Sequence, residues 1–196
     1  MNPAIRSTTP TLMEGGTVAW RGLFTKPWLD ALERACDALA LEQARLNSGP
    51  SSIRTTKVAW VHRDAATEEL YRDMEAIVLR LNAELFHFDL AGLATMQYAV
   101  YESAEAGFFD WHNDYGRYRD DPGQLPRKIT MSVQLSEGAG YDGGDLEVRA
   151  IHPIDMAPRE RGCLVAFAAN ALHRVTPVTR GVRKSLVIWA TGPEFR

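Results

Sequence analysis

The chain is poor in cysteine and histidine. Its 196 residues include two cysteines, Cys36 and Cys163, and each lies inside an apolar stretch. Free cysteine packs as a small hydrophobic side chain, so we expect both thiols to be reduced and buried. A chain of this length buries about 70% of its unfolded surface and needs no disulfide to hold a core. The sequence therefore predicts a single globular domain without covalent cross-links.

Long apolar runs and an excess of positive charge are also missing. No segment approaches the roughly 18 uninterrupted apolar residues of a membrane span, and residues 1–16 lack the apolar run of a signal peptide. Lysine and arginine number 22 against 25 aspartates and glutamates, which gives a net charge of −3. A dedicated nucleic-acid-binding protein needs a clustered basic face. We therefore expect a cytoplasmic protein with no membrane partner and no favoured nucleic-acid partner.

The front of the chain carries two helical patterns. Thr25 can cap the first helix, and apolar residues then recur at helical spacing until the stop signal at residues 47–50. This first stripe is Leu29, Leu32, Ala35, Cys36, Leu39 and Ala40. After a short extended segment, Lys57–Val61, Asp64 or Thr67 can cap a second helix. Its predicted buried stripe is Leu70, Met74, Ile77, Val78, Leu81 and Leu85. Both stripes are expected to cover one face of a sheet.

Beyond Phe86 the apolar period changes from that of a helix to that of a strand. Turn residues separate five candidate strands, which are Thr95–Tyr101, Lys128–Leu135, Gly144–Ala150, Cys163–Phe167 and Val182–Ala190. Many short strands with few helices indicate an antiparallel sandwich or barrel. The predicted fold class is mainly β with a helical buttress.

The candidate strand Lys128–Leu135 has two chemically different faces. Side chains alternate across a strand, so the apolar residues point one way and the polar ones the other. The apolar face carries Ile129, Met131, Val133 and Leu135, and the polar face carries Thr130, Ser132 and Gln134. The apolar face is expected to pack in a core. The polar face suits either solvent or the wall of a wet cavity.

Three of the five histidines begin a His-x-Asp triplet. The triplets start at His62, His87 and His112, and one such triplet alone is weak evidence of a site. His62 precedes the second helix, where Asp64 is more useful as a cap. His87 lies at the joint between helix and sheet and is interpreted as a boundary histidine. His112-Asn-Asp114 opens a long polar loop at a sheet rim, which is where a metal site is expected.

A more distant pattern supports the third triplet. Two imidazoles and one carboxylate on one side of a ferrous ion leave the opposite positions open. His173 follows the strand Cys163–Phe167 and its turn, so it can supply the second imidazole. Ten residues later Arg183 and Ser185 share one strand face with Val187 and Trp189, and an arginine fork there can bind a carboxylate.

These residues resemble a known family. His112-x-Asp114, then His173, then Arg183-x-Ser185 is similar to the iron(II) and 2-oxoglutarate-dependent oxygenases, in particular their prolyl-4-hydroxylase-like branch. The resemblance implies a double-stranded β-helix, or jelly roll, with two N-terminal helices on one sheet. It further implies one oxygenase domain over 1–196, with an N-terminal extension and first strand at 1–24, a helical buttress at 25–90 and a catalytic core at 91–196.

The resemblance also implies the site. His112, Asp114 and His173 would hold Fe(II), and Arg183 would bind the distal carboxylate of 2-oxoglutarate. Further candidates for the cosubstrate are Ser185, Tyr101 and Gln134. Gln134 stands where relatives often carry a tyrosine, which puts that contact in question. Ascorbate would serve as a reductant of the iron, and the sequence does not decide whether it is needed.

The implied reaction is hydroxylation of an unactivated C–H bond, with release of succinate and CO2. The substrate would be a prolyl residue, another protein side chain or a small molecule. Two alternatives stay open from the sequence: demethylation of a nucleobase by the same chemistry, and a non-enzymatic cupin-like metal-binding module. The charged loop 115–127 is either a lid that selects substrate or a solvated loop.

Overall fold

The computed structural model describes residues 5–44, 53–115 and 125–194, which form two helices and fifteen strands. The helices are α1, Lys26–Asp37, and α2, Glu68–Leu81. The strands are β1 Thr11–Leu12, β2 Val18–Trp20, β3 Glu42–Gln43, β4 Arg54–Thr55, β5 Lys57–Val61, β6 Gly92–Leu93, β7 Met96–Glu102, β8 Phe108–His112, β9 Arg127–Gln134, β10 Tyr141–Gly143, β11 Leu146–Arg149, β12 Asp155–Met156, β13 Leu164–Ala168, β14 Leu172–Val175 and β15 Val178–Thr191. The predicted mainly β class is confirmed.

Helix α1 is shorter than its apolar pattern indicates. It ends at Asp37, and the chain then forms β3, so Leu39 and Ala40 lie beyond the helix. The helix ends early because residues 42–43 form β3 and pair with β5, so the chain cannot continue as a helix through these positions. The stop signal predicted at residues 47–50 lies outside the described residues.

Helix α2 begins after Thr67, and Asp64 holds the turn before it. The Asp64 carboxylate accepts hydrogen bonds from the backbone N–H groups of Ala66 and Thr67. One turn of π-helix, Asn82–Phe86, follows α2 and rotates the helical face. Leu85 is therefore partly exposed, and its assignment to the buried stripe was wrong. No helix of the described residues is long and apolar enough to cross a membrane.

Ten strands form a large antiparallel sheet, here the major sheet. Its path runs β1-β2-β13-β9-β15-β7-β5-β3, and β6 and β10 also pair with β15. Strand β15 is longer than the predicted Val182–Ala190 because four other strands, β6, β7, β9 and β10, bond to successive parts of it. The other four predicted strands lie within two residues of their observed bounds.

Five strands form the minor sheet, in the order β12-β11-β14-β8-β4. Strands β8 and β14 were not predicted as strands of their own, and they bring His112 and His173 into direct register. The two sheets face each other across a cavity that residues of both line. This two-sheet arrangement is the one that a jelly roll requires.

The outer face of the major sheet carries the larger apolar core. Buried residues of α1 and α2, among them Leu29, Leu32, Met74 and Ile77, share one cluster with alternate residues of the central strands. The contributors from β7, β9 and β15 include Tyr98, Val100, Met131, Val133, Leu186 and Ile188. The residues between them point the other way, toward the minor sheet, and they build the site.

Candidate metal centre

Three potential metal ligands converge at the rim of the minor sheet. His112 is the last residue of β8, Asp114 follows two residues later, and His173 lies on the neighbouring β14. Their ligand atoms all lie within 4.8 Å of one another. A distance of 3.9 Å separates His112 Nε2 from Asp114 Oδ1, and 3.4 Å separates His173 Nε2 from Asp114 Oδ2. A metal–ligand bond of about 2.1 Å places adjacent ligand atoms about 3 to 4 Å apart, so the set fits one ion.

Backbone carbonyls orient both imidazoles. His112 Nδ1 lies 2.7 Å from the carbonyl oxygen of Asp110, and His173 Nδ1 lies 3.1 Å from that of Ala171. A carbonyl only accepts, so each Nδ1 carries a proton. When the ring is neutral, which is the form that binds a metal, the lone pair of Nε2 is free to face the ion, as in sites where an outer hydrogen bond fixes the tautomer.

Two side chains of the major sheet hold the Asp114 carboxylate. Thr130 Oγ1 donates to Asp114 Oδ2 at 2.8 Å, and Trp189 Nε1 donates to the same oxygen at 2.9 Å. Both donors lie on cavity-facing positions of β9 and β15. Because Oδ2 accepts both hydrogen bonds, Oδ1, on the side of His112, remains available to a metal ion. The carboxylate is thus fixed in orientation before any ion binds.

The three groups also shift one another's pKa. Burial, reinforced by the neighbouring His173, lowers the pKa of His112 to about 4. Burial would raise the pKa of Asp114, but the His173 charge and hydrogen bond outweigh it and hold that pKa well below its usual range. Burial would lower the pKa of His173, and Asp114 raises it instead. Asp114 is therefore an anion and His112 is neutral at pH 7, which are the forms that bind a metal.

The triad opens into a cavity of about 380 Å³ between the sheets. All four residues that the sequence places on one face of β15 line it, together with Tyr101. The polar face of β9 also turns inward through Thr130 and Ser132. Of the two interpretations of that face, the wall of a cavity is therefore confirmed.

Arg183 lies in this cavity as a buried cation. It is 4% exposed, and in the described part of the chain its guanidinium makes only a long 3.5 Å hydrogen bond to Ser185 Oγ and no ion pair. The guanidinium carbon lies 5.4 Å from the ring centroid of Tyr101. A buried charge without a counter-ion costs several kcal/mol, on the order of the effective desolvation penalty of one ion. The site therefore fits an anionic ligand, and a carboxylate matches the arginine fork.

Gly144 leaves room for that arginine. Its φ is +62°, and a Cβ there would lie 3.2 Å from Arg183 Cδ and 2.9 Å from Val178 Cγ2. A glycine is therefore required here both by the left-handed backbone and by the close approach of the Arg183 side chain.

Gln134 has a different set of neighbours from the other candidates. Its amide Nε2 donates to the Tyr141 hydroxyl and to the Ser136 carbonyl, both at 3.1 Å, and it is not among the residues that line the cavity. Gln134 is the cross-strand neighbour of Ser185 on β9, and its amide is directed to Tyr141. A contact with the cosubstrate stays a prediction for this residue.

The other two triplets are used structurally. His87 has a left-handed backbone, with φ of +56°, and ends the π-helical turn. His62 accepts a hydrogen bond from Thr67 at its carbonyl, in the exposed turn before α2. Most of the loop expected to act as a lid, residues 116–124, lies outside the described residues. Its first residue, Tyr115, donates its hydroxyl to Glu194 and lines the cavity.

Sequence reasoning missed part of the cavity wall. Phe109 lines the cavity, and its ring stacks on His112 with centroids 3.4 Å apart. Arg54 and Gln97 also line the cavity, from β4 and β7. Alternation could have indicated Gln97, which shares a face of β7 with Tyr101. No sequence signal points to Arg54, because β4 is too short to show a period.

Comparisons with known proteins agree with this site. The family model described as the 2OG-Fe(II) oxygenase superfamily matches residues 96–191. A PKHD-type hydroxylase of Synechococcus is 31% identical over 125 residues, which are 60% of this chain and 54% of that protein. The match therefore spans about half the length of that relative. A PKHD-type hydroxylase of Xanthomonas axonopodis is 28% identical over 168 residues, which are 83% of this chain and 72% of that protein.

Solved structures with a similar fold include two prolyl hydroxylases. A Pseudomonas putida prolyl-4-hydroxylase is 26% identical, with a TM-score of 0.71 over 91% of this chain and 94% of that one. A Trichoplax adhaerens prolyl hydroxylase, solved with a peptide fragment of hypoxia inducible factor, is 17% identical, with a TM-score of 0.71 over 91% of this chain and 84% of that one. The second likeness concerns the fold alone.

Proposed function

The chain belongs to the 2OG-Fe(II) oxygenase superfamily, in its prolyl-4-hydroxylase-like branch, and we propose that it is an Fe(II)- and 2-oxoglutarate-dependent hydroxylase. The reaction proposed is hydroxylation of an unactivated C–H bond in a prolyl residue, another protein side chain or a small molecule. Succinate and CO2 would be the products of the cosubstrate. The observation that carries this proposal is the pairing, in one cavity, of a preoriented His-Asp-His set with a buried arginine for which the described residues supply no counter-ion.

The residues fit the two groups that this reaction needs. His112, Asp114 and His173 would hold Fe(II) through two nitrogens and one oxygen, the ligand set typical of ferrous oxygenases. Arg183 would bind the distal carboxylate of 2-oxoglutarate, and Ser185 and Tyr101 line the cavity next to it. When bound, iron and cosubstrate supply the oxidising chemistry, which no protein side chain provides.

The chain itself supplies orientation and a dry wall. Thr130 and Trp189 fix the carboxylate of Asp114, so the ligand set does not have to reorganise when the ion enters. Phe167 and Val175 add apolar surface to the wall of the cavity that the ligand set and Arg183 share. Preorganisation of this kind lowers the cost of reaching the reactive arrangement.

A non-enzymatic metal-binding module of cupin type would use the same histidines but has no need of Arg183. A buried cation facing the ligand set, 4% exposed and without a partner carboxylate in the described residues, is unfavourable unless an anion joins it. This favours the oxygenase over the binding module. The division into an extension at 1–24, a buttress at 25–90 and a core at 91–196 belongs to the same proposal. Ascorbate as a reductant and a cytoplasmic location stay predictions from the sequence.

Oxygen-dependent release of succinate tests the proposal. We expect the purified chain with Fe(II), 2-oxoglutarate and oxygen to form succinate, at a low rate without substrate and a higher rate with it. His112→Ala should abolish the release because one of three metal ligands is gone, whereas Asn113→Ala, at the exposed position between two ligands, should retain it. No succinate from the wild type, or equal release from His112→Ala, would contradict the proposal.

A further inference from the structure

Arg54 is one of three arginines that line the cavity, with Arg183 and Arg127, and the proposed binding of iron and 2-oxoglutarate gives it no role. It lies on β4, the edge strand of the minor sheet, in register with Phe109 on β8. Its side chain lines the same cavity as the His-Asp-His set. An arginine on a short edge strand is usually solvated, so its place inside the cavity needs an explanation.

The guanidinium of Arg54 is largely unsatisfied by the protein. Its Nη2 donates to Gln97 Oε1 at 2.9 Å, which is the one hydrogen bond it makes within the described ranges. Its Nε is buried and has no hydrogen-bond partner there. No carboxylate among the described residues pairs with it. Since arginine carries five N–H donors, most of its binding capacity is left over, and a buried donor without a partner is costly.

Arg54 also lies close to the reacting end of the cavity. Its guanidinium carbon lies 4.4 Å from the ring centroid of Phe109, and that ring stacks on His112 at 3.4 Å between centroids. Arg54 and the metal ligand His112 therefore contact the same phenyl ring. A group bound to Arg54 would be separated from the metal by about one aromatic ring.

Charge balance indicates what that group is. A ferrous ion, the Asp114 carboxylate, a doubly charged 2-oxoglutarate and Arg183 together have no net charge. Arg127 also lines the cavity and lies 3.9 Å from Asp114 Oδ1, so Arg127 and Arg54 add two positive charges to a partly buried space whose described lining residues include no carboxylate other than Asp114. A low-dielectric cavity with excess positive charge favours an anion. Carboxylate and phosphate both match the arginine fork, and a carboxylate carries the single negative charge that offsets Arg54.

We propose that Arg54 binds a carboxylate of the substrate itself, so that this enzyme oxidises compact carboxylic acids, such as free amino acids, at a carbon a few bonds from the carboxylate. Gln97, which already holds one edge of the guanidinium, would act as the positioning residue. The proposal rests on the proposed oxygenase function and narrows its substrate class from peptidyl or small-molecule substrates to small acids.

The experiment compares acids with their own amides. The chain loaded with Fe(II) and 2-oxoglutarate is given L-amino acids and short aliphatic carboxylic acids, each beside its amide. Succinate release is measured with oxygen, and binding is measured without oxygen by saturation-transfer NMR. We expect at least one acid to bind and to raise succinate release about tenfold or more above the substrate-free rate, while its amide does neither.

Variants of Arg54 test whether this arginine binds the carboxylate of the active acid. Arg54→Gln should raise KM for the active acid by about 10- to 100-fold, the value of one charge-assisted hydrogen-bond pair, with a smaller change in kcat. Arg54→Lys should recover part of the loss. Arg149→Gln, an exposed arginine on the outside of the minor sheet, should match the wild type. Substrate-free succinate release and 2-oxoglutarate affinity should be unchanged in all three variants.

Each other outcome counts against the inference. The inference is overturned if an amide is as active as its acid, if no acid is active, or if Arg54→Gln leaves KM unchanged. In each of these cases, normal substrate-free succinate release would leave the oxygenase function in place. If the wild type shows neither iron-dependent binding of 2-oxoglutarate nor succinate release, the oxygenase function fails and this inference fails with it.

Discussion

The two faces of the major sheet are equally buried and chemically opposite. Along β9, every side chain from Lys128 to Leu135 is at most 7% exposed, whichever way it points. On the helix side, residues such as Met131 pack in a closed apolar cluster. On the cavity side, Thr130 and its neighbours hold a metal ligand and face a buried cation. Burial therefore does not distinguish core from site here; the unsatisfied polar groups do.

The helix face therefore contributes mainly to stability, and the cavity face contributes mainly to ligand binding. The helix face gains free energy from burying apolar area, about 25 cal/mol per Å². On the cavity face, Arg183 has no counter-ion among the residues that the structure describes, which lowers stability in the absence of ligand. We expect substitutions on the helix face to change stability with little effect on ligand binding. Substitutions on the cavity face should change ligand binding with little loss of stability.

The largest expected effect on stability is at Met131. Met131→Ala leaves a cavity in a cluster with 0% exposure, so the free energy of unfolding should fall by about 2 to 5 kcal/mol. Ser132→Ala, the next residue on the cavity face, should change it by less than about 1 kcal/mol. Urea denaturation of both variants measures this. Equal losses at the two positions would remove the distinction between the faces.

Arg183 should show the reverse pattern. Arg183→Gln removes two charge-assisted hydrogen bonds to the cosubstrate, so 2-oxoglutarate affinity should fall by about 100-fold. The ligand-free protein should be as stable as the wild type or more so, because an unpaired buried charge is gone. Calorimetric titration of 2-oxoglutarate and urea denaturation give the two values. The control Arg180→Gln removes an exposed arginine paired with Asp142. Unchanged affinity in Arg183→Gln would exclude its assigned role.

A smaller effect is expected at the residues that hold Asp114. Thr130→Val keeps the shape and removes the hydrogen bond to Oδ2, so metal affinity should fall by about 10- to 100-fold. Thr191→Val, at the far end of β15, provides the matched control. Competition with a metal chelator measures both. If Thr130→Val binds metal as tightly as the control, the carboxylate does not need this hydrogen bond for its orientation.

The smallest effect concerns the outer edge of the helix face. Burial would raise the pKa of Asp37, but hydrogen bonds from Lys184 and Tyr98 lower it below its ordinary value. Its contribution to stability is therefore present above the unfolded pKa of about 3.9 and is lost as the pH falls through the folded value. Asp37→Asn should cost less than about 1 kcal/mol at pH 7, because the pair is partly exposed.

The pH dependence of that cost checks its origin. The free energy of unfolding is measured for the wild type and for Asp37→Asn at pH 7 and at about pH 3. The difference between the two proteins should be smaller at the lower pH. A difference that is constant between the two pH values would mean that the charge of Asp37 does not contribute.

The sequence predicted the parts of the fold that have a strong local pattern. Alternation in 128–135 located the central strand to within one residue. Helical spacing located α2, but it carried the predicted stripe to Leu85, four residues beyond the end of the helix. The pattern of His112 two residues before Asp114, with His173 farther along the chain, identified the three residues that the structure brings together. Length limited the rest: β4 and β14 have two and four residues, too few for a period to show.

Long-range contacts were beyond sequence reasoning for a physical reason. Arg54 reaches the cavity because β4 pairs with β8, a partner more than fifty residues away. Trp189 was placed on the correct face of β15, but its hydrogen bond to Asp114 depends on how that sheet face meets the loop after β8. Such contacts follow from register between strands, which a single sequence specifies only through the completed fold.

Anaerobic absorption spectroscopy tests the central claim most directly. The claim is that the cavity face of the major sheet and the rim of the minor sheet form one site for Fe(II) and 2-oxoglutarate. Wild-type chain given both should show a weak visible charge-transfer band that neither produces alone, and the band should be absent in His112→Ala. No band in the wild type, together with iron binding in His112→Ala as tight as in the wild type, would contradict the account.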